Sequence, residues 1–152
     1  MKKLLSFLCV LIAANFFISS SCNKSDDPPP PKTKTELLTT GSWRFSSATY
    51  NGADASGYLQ ACQKDNFYIF LVAGTGTVNE GPTTCNVGDP PTSSFTWNFA
   101  TNETILHVNA PFFSNTSNDF TLVSISETQL VVSTLYTPPV GPSITVTVTF
   151  VH

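Results

Sequence analysis

The chain has 152 residues, room for one domain, and a formal net charge of −3 at pH 7. From Thr35 onward two basic side chains, Arg44 and Lys64, stand against eight acids, a net of −6. Such a balance repels phosphate backbones and anionic lipid faces, which excludes nucleic acid as a partner and flat binding to a membrane.

Lys2 and Lys3 open the chain, Leu4 to Ile18 is apolar apart from Ser6 and Asn15, and Ser19, Ser20 and Ser21 lead to Cys22. A basic start, an apolar stretch and small residues before a cut mark a secretory signal over residues 1–21. The apolar stretch is shorter than the about 20 residues of a membrane span. The run Ile18-Ser19-Ser20-Ser21-Cys22 resembles a bacterial lipobox, with Ser19 where a leucine is usual. That resemblance implies cleavage before Cys22 and lipidation of its thiol and new amino end. Several acyl chains anchor stably, because each buried methylene contributes about 0.8 kcal/mol.

The following Asn23-Lys24-Ser25-Asp26-Asp27 is similar to the export signal of Bacteroidetes surface lipoproteins. The similarity implies an outer-membrane anchor with the domain at the cell surface; a plain solvated linker, leaving the domain on the periplasmic face, is the other reading. Four prolines, Pro28 to Pro31, favour an extended, semi-rigid spacer. Residues 22–34 are therefore a lipidated tether, and the folded domain covers residues 35–152.

From Gly41 onward, short apolar-alternating runs are separated by Gly, Pro, Asn and Ser, the pattern of antiparallel strands. Trp43, Phe45 and Ser47 alternate with Arg44, Ser46 and Ala48 in the first strand. Asn51 to Gly57 reads as a loop and Tyr58 to Lys64 as one or two helical turns. Asn66 to Ala73 is a largely apolar strand, Gly74-Thr75-Gly76 a turn, and Thr77 to Glu80 a third strand. After a Pro-rich loop, Ser94 to Phe99 places Phe95, Trp97 and Phe99 on one face. Thr104 to Val108 follows, then a polar loop bearing Phe112 and Phe113, an apolar tip that either gates a barrel mouth, docks a partner or packs as an ordinary loop. Asp119 to Ser126, Gln129 to Tyr136 and Ser143 to Val151 complete the set. The last alternates cleanly, with Ile144, Val146, Val148 and Phe150 opposite Thr145, Thr147 and Thr149.

Eight strands with mostly short links predict an all-β, antiparallel up-and-down barrel with at most one short helix, since closing a meander removes its edges. A two-sheet sandwich remains the alternative, with the long loops as its crossings. Cys9 leaves with the signal and Cys22 takes the lipid, so Cys62 and Cys85 remain as a pair in an oxidising compartment. They are expected to form one disulfide, closing a loop of about 24 residues and contributing roughly 3 kcal/mol. No further N or S ligands stand near them for zinc.

Gly41-Ser42-Trp43 opens the first strand, and the segment Cys62-Gln63-Lys64-Asp65-Asn66, the Gly-Thr run at 74–77 and Cys85 follow it. Together these resemble the lipocalin-like domains of Bacteroidetes surface lipoproteins, over nearly all of the chain from Thr35. The resemblance implies a barrel whose Trp43 closes one end, and a basic residue of the last strand packed on that ring. Only His152 is available for that place, although a residue closing the sequence is expected to fray.

No catalytic constellation is legible. His107 lies in a strand with no acid at a telling spacing, and the acids fall singly in loops, so neither a nucleophile–base pair nor a carboxylate pair emerges. Asp65 beside Asn66 offers too few oxygens for calcium. The domain is expected to be non-enzymatic, with no metal and no cofactor. Trp43, Phe45, Phe67, Phe95, Trp97, Phe99 and Phe120, with Phe150, form the candidate inward set. They either line a lumen for a small apolar ligand or fill it, since each ring buries about 150–250 Å² and a small barrel leaves little space. The first reading gives a ligand-binding envelope lipoprotein, held to the membrane by its lipid alone. The second gives an interaction module for a protein or glycan partner of an outer-membrane assembly.

Overall fold

A computed structural model describes residues 28–110 and 112–152. The expected signal, the lipid site at Cys22 and the acidic run after it lie outside the described residues. Residues 28–31 are exposed and belong to no helix or strand. Lys32–His152 form one compact unit.

The unit is a closed antiparallel meander. Its strands are β1 (Ser42–Tyr50), β2 (Ala53–Asp54), β3 (Phe67–Leu71), β4 (Thr75–Asn79), β5 (Thr92–Ala100), β6 (Ile105–Val108), β7 (Asp119–Ile125), β8 (Gln129–Tyr136) and β9 (Ile144–Val151). Neighbours pair in the order β2-β1-β3-β4-β5-β6-β7-β8-β9, and β1 pairs again with β9 to shut the ring. The sandwich alternative is thereby excluded. Eight strands make the wall. The two-residue β2 is an addition within the segment expected to be a loop, where it pairs with the far end of β1.

Among the described residues two short α-helices occur, α1 (Lys34–Leu38) and α2 (Ala61–Lys64), one more than the sequence pattern indicated, and Ser56–Tyr58 forms a single 3-10 turn. The extra one, α1, starts on a capping box: Glu36 N–H donates to Thr33 Oγ1 at 3.2 Å and Thr33 N–H donates to Glu36 Oε2 at 2.7 Å. The T-x-x-E spacing carried this signal in plain view.

Because every strand reverses, the β3–β4, β5–β6 and β7–β8 turns share one end and the longer connections share the other. The α1 segment caps the first end. Lys32 pairs with Glu127 at 2.7 Å, Lys34 Nζ donates to the Glu103 carbonyl at 2.8 Å, and Leu38 is fully buried. At the opposite end Cys62 and Cys85 form the expected disulfide, with 5.2 Å between their Cα atoms. Two hydrogen bonds run beside it: Gly81 N–H to Asn66 Oδ1 at 3.1 Å and Thr83 N–H to Asp65 Oδ2 at 3.0 Å. The contact is so close that a Cβ on Gly81 would stand 2.4 Å from the Asp65 carbonyl. The 80–91 loop is thus fastened to α2 and the start of β3.

Inward and outward faces follow the alternation where it is clean. Val146, Val148 and Phe150 of β9 and Phe95 and Trp97 of β5 are buried together. Gly76 sits opposite Phe95 across β4–β5, and a Cβ there would lie 2.3 Å from the Phe95 ring, so the missing side chain makes room for it. Two faces differ from expectation. The β1–β9 register shifts between Phe45 and Ser47, so Ala48 rather than Ser47 turns into the core; a bulge inserts one residue and reverses the alternation after it. In β3 it is Tyr68 and Phe70 that point inward, whereas Phe67 is 39% exposed on the outer wall. Phe67-Tyr68-Ile69-Phe70-Leu71 is apolar on both faces, so its pattern carried no face assignment.

Candidate functional site

The lumen is filled at its centre by side chains. Its centre is enclosed by Trp43, Tyr68, Phe70, Leu106, Phe120, Leu130, Val132 and Phe150 from the wall, and by Phe112 from the β6–β7 loop. Of the expected inward set, Trp43, Phe95, Trp97, Phe120 and Phe150 are buried, and Phe45 and Phe99 are half-buried against them. Phe67, expected to face inward, lies instead on the outer wall, because β3 is apolar on both faces and its pattern assigns neither. Tyr68, Phe70 and the aliphatic residues of β6 and β8 were missed; Leu106, Leu130 and Val132 carry the ordinary period-2 signal of buried strand positions.

Of the three readings open for Phe112 and Phe113, the structure shows packing: both rings turn into the barrel. Phe113 is fully buried and Phe112 is 9% exposed. Phe112 stacks on Phe120 at 5.3 Å and meets Tyr68, Phe70 and Phe95 at 4.5–5.9 Å between ring centres. Phe113 stacks on Phe150 at 5.9 Å. The loop is held by Tyr68 Oη donating to the Phe112 carbonyl at 3.2 Å and by Gln63 Nε2 donating to Ser114 Oγ at 2.8 Å. Burial pushes the Tyr68 phenol well above its ordinary pKa, and the Glu80 carboxylate adds to the shift, so the hydroxyl stays a donor at neutral pH. With both rings in place the central space is about 0 Å³ and the adjoining space beside Phe113 about 10 Å³. Ligand sites begin at roughly 300 Å³.

The closed end is built around Trp43. Its Nε1 donates to the Leu38 carbonyl at 2.8 Å, and the His152 ring lies on it with 3.9 Å between centres. His152 Nδ1 is also 3.0 Å from the Ser42 carbonyl oxygen. The residue expected to fray is instead the one that packs on the tryptophan. Gly41 is tight against it, since a Cβ there would lie 3.2 Å from the His152 ring.

His107 does have an acid partner, which sequence spacing did not reveal: β6 and β7 set it opposite Asp119, and Nδ1 is 2.6 Å from Oδ1. Both side chains are about half exposed, at 45% and 61%. Among the described residues no three His, Cys, Asp or Glu side chains gather as a metal site would require.

A family model described as "Lipocalin-like domain" matches residues 39–132. No curated protein matches the chain. Among solved structures, bovine odorant-binding protein complexed with its natural ligand is 15% identical, with a TM-score of 0.48, over 82% of this chain and 76% of that one. The complex of the same bovine protein with undecanal gives 16% identity and a TM-score of 0.49, again over 82% and 76%.

Proposed function

The chain belongs to the lipocalin-like domain family, and from that membership we propose that its barrel binds a small apolar molecule in the lumen without catalysis. The observation that carries the reading is the source of the rings filling the centre. Phe112 and Phe113 come from a loop, not from the wall, and the centre behind Phe112 is lined by apolar side chains apart from the Tyr68 hydroxyl and the Trp43 indole N–H, both of which donate to backbone carbonyls. A ligand enters when the loop swings out and takes over the contacts those rings make. The apparent affinity is then the intrinsic one reduced by the fraction of molecules with the loop open.

Tyr68→Phe tests this. It keeps the ring and removes the bond to the Phe112 carbonyl, so the open fraction rises about fivefold, the factor for a hydrogen bond of about 1 kcal/mol. Fluorescence titration of the purified chain with neutral N-phenyl-1-naphthylamine is expected to saturate, with affinity improved by that factor in Tyr68→Phe. No saturable binding to either protein overturns the reading. It would leave the second one, a barrel with a packed core acting through its outer surface, which the absence of free lumen volume favours.

The amino-terminal residues place this function at the cell envelope in our reading: a signal over 1–21, lipid on Cys22 and a proline-rich tether, with Lys24, Asp26 and Asp27 directing the domain to the outer face of the outer membrane. Cells fed labelled palmitate are expected to mark the parent chain and not Cys22→Ser. A parent chain that takes up no label would count against the anchor.

A further inference from the structure

An open concavity at the β1–β3 junction lies outside the barrel. It is a groove of about 460 Å³ lined by Arg44, Phe45, Ser46, Lys64, Asp65, Phe67, Pro82 and Val151. Its floor follows from the register: Arg44 is paired with Phe67 on one side and with Val151 on the other, so the three side chains form a row on the same outer face. The bulge after Phe45 sets Ser46 beside them, and α2 with Pro82 makes the opposite bank.

Charge singles this groove out. Arg44 and Lys64 are the only basic side chains from Thr35 onward, they are 20 positions apart in sequence, and both line it. Neither joins the two ion pairs found among the described residues, Lys32–Glu127 and His107–Asp119. Lys64 Nζ donates to the Ser56 carbonyl at 3.5 Å, and its charge adds to the Ser56 N–H bond in holding the Asp54 carboxyl below its ordinary range. The one acid in the lining is Asp65, whose Oδ2 takes the Thr83 N–H at 3.0 Å and whose Oδ1 is buried. Beside the cations Phe67 leaves an exposed aromatic face, and Pro82 an exposed apolar rim. A guanidinium is weakly hydrated and its planar fork matches a carboxylate. An anion repelled by the acids elsewhere on the domain finds an attractive surface here, with apolar contact for the remainder of the molecule.

We propose that this outer groove is a second binding site, taking a small organic anion with a flat apolar body, of the aromatic carboxylate class. The proposal does not rest on the lumen reading, because none of the wall residues at the centre of the lumen lines the groove.

The test is an NMR titration of the ¹⁵N-labelled full chain with benzoate, with benzyl alcohol as the uncharged control. Benzoate is expected to give saturable shifts at the amides of Arg44, Ser46, Lys64, Phe67 and Val151, weakened by added salt, while benzyl alcohol gives none there. Arg44→Gln is expected to weaken benzoate at least about tenfold, the effect of losing a charge-assisted hydrogen bond, with N-phenyl-1-naphthylamine binding unchanged. Arg44 is exposed, so the variant keeps the parent spectrum away from the groove; Lys64→Gln provides an independent second reading. No saturation by about 10 mM benzoate, shifts confined to lumen residues such as Phe70, Phe120 and Phe150, or undiminished binding by both variants would each overturn the proposal.

Discussion

Phe113→Ala is expected to lower the unfolding free energy by about 3–5 kcal/mol, the range for truncating a fully buried phenylalanine. The side chain has no solvent exposure, stacks on Phe150, and meets the edges of Phe45 and Tyr68 at 6.2 and 6.3 Å. Domains of this size unfold with a total of roughly 5–15 kcal/mol, so the change removes a large share of the stability. In a urea titration the midpoint falls while the slope stays constant, and a thermal scan shifts down by roughly 10–20 °C. A loss under about 1 kcal/mol would show instead that the loop only rests against the lumen. The vacated space is apolar and stays dry. Benzene is therefore expected to recover part of the lost midpoint, because a ligand that binds only the folded state stabilises it by mass action. Full loss without recovery would mean that the wall collapses into the cavity.

Trp43→Ala is the second large effect, again about 3–5 kcal/mol, and it opens the opposite end. The indole is completely buried, donates to the Leu38 carbonyl and carries the His152 ring. Trp43→Phe separates the two contributions. It retains most of the apolar contact but leaves the Leu38 carbonyl without its donor, at a cost of about 1–3 kcal/mol. Urea unfolding of both variants checks this. Equal losses would mean that the hydrogen bond to α1, not the packing, holds the closed end. His152→Ala removes only a surface-facing ring and is expected to cost less than either.

The two ends differ in how far they could be read from residues alone. At the Trp43 end, Gly41-Ser42-Trp43 is a local motif and the capping box of α1 is a local spacing, so both stand in the sequence as written. At the other end, Phe112 and Phe113 lie among Ser, Asn and Thr, and a polar flank predicts exposure. Their burial depends on whether the ring of strands leaves a hole for them. That is settled by strand number, tilt and the size of every other inward side chain, among them the absent one at Gly76.

Period-2 patterns in β5 and β9, the turn residues between strands and the spare cysteine pair were enough to determine an antiparallel all-β domain with one disulfide, because each is a property of neighbouring residues. Only the tertiary structure decided that β1 changes face at its bulge, that Phe67 looks outward and Tyr68 inward, that His152 lies on Trp43, and that Arg44 meets Lys64 at one groove. Each of those depends on the register in which distant strands pair, and a strand that is apolar on both faces fits either register equally until closure of the barrel selects one.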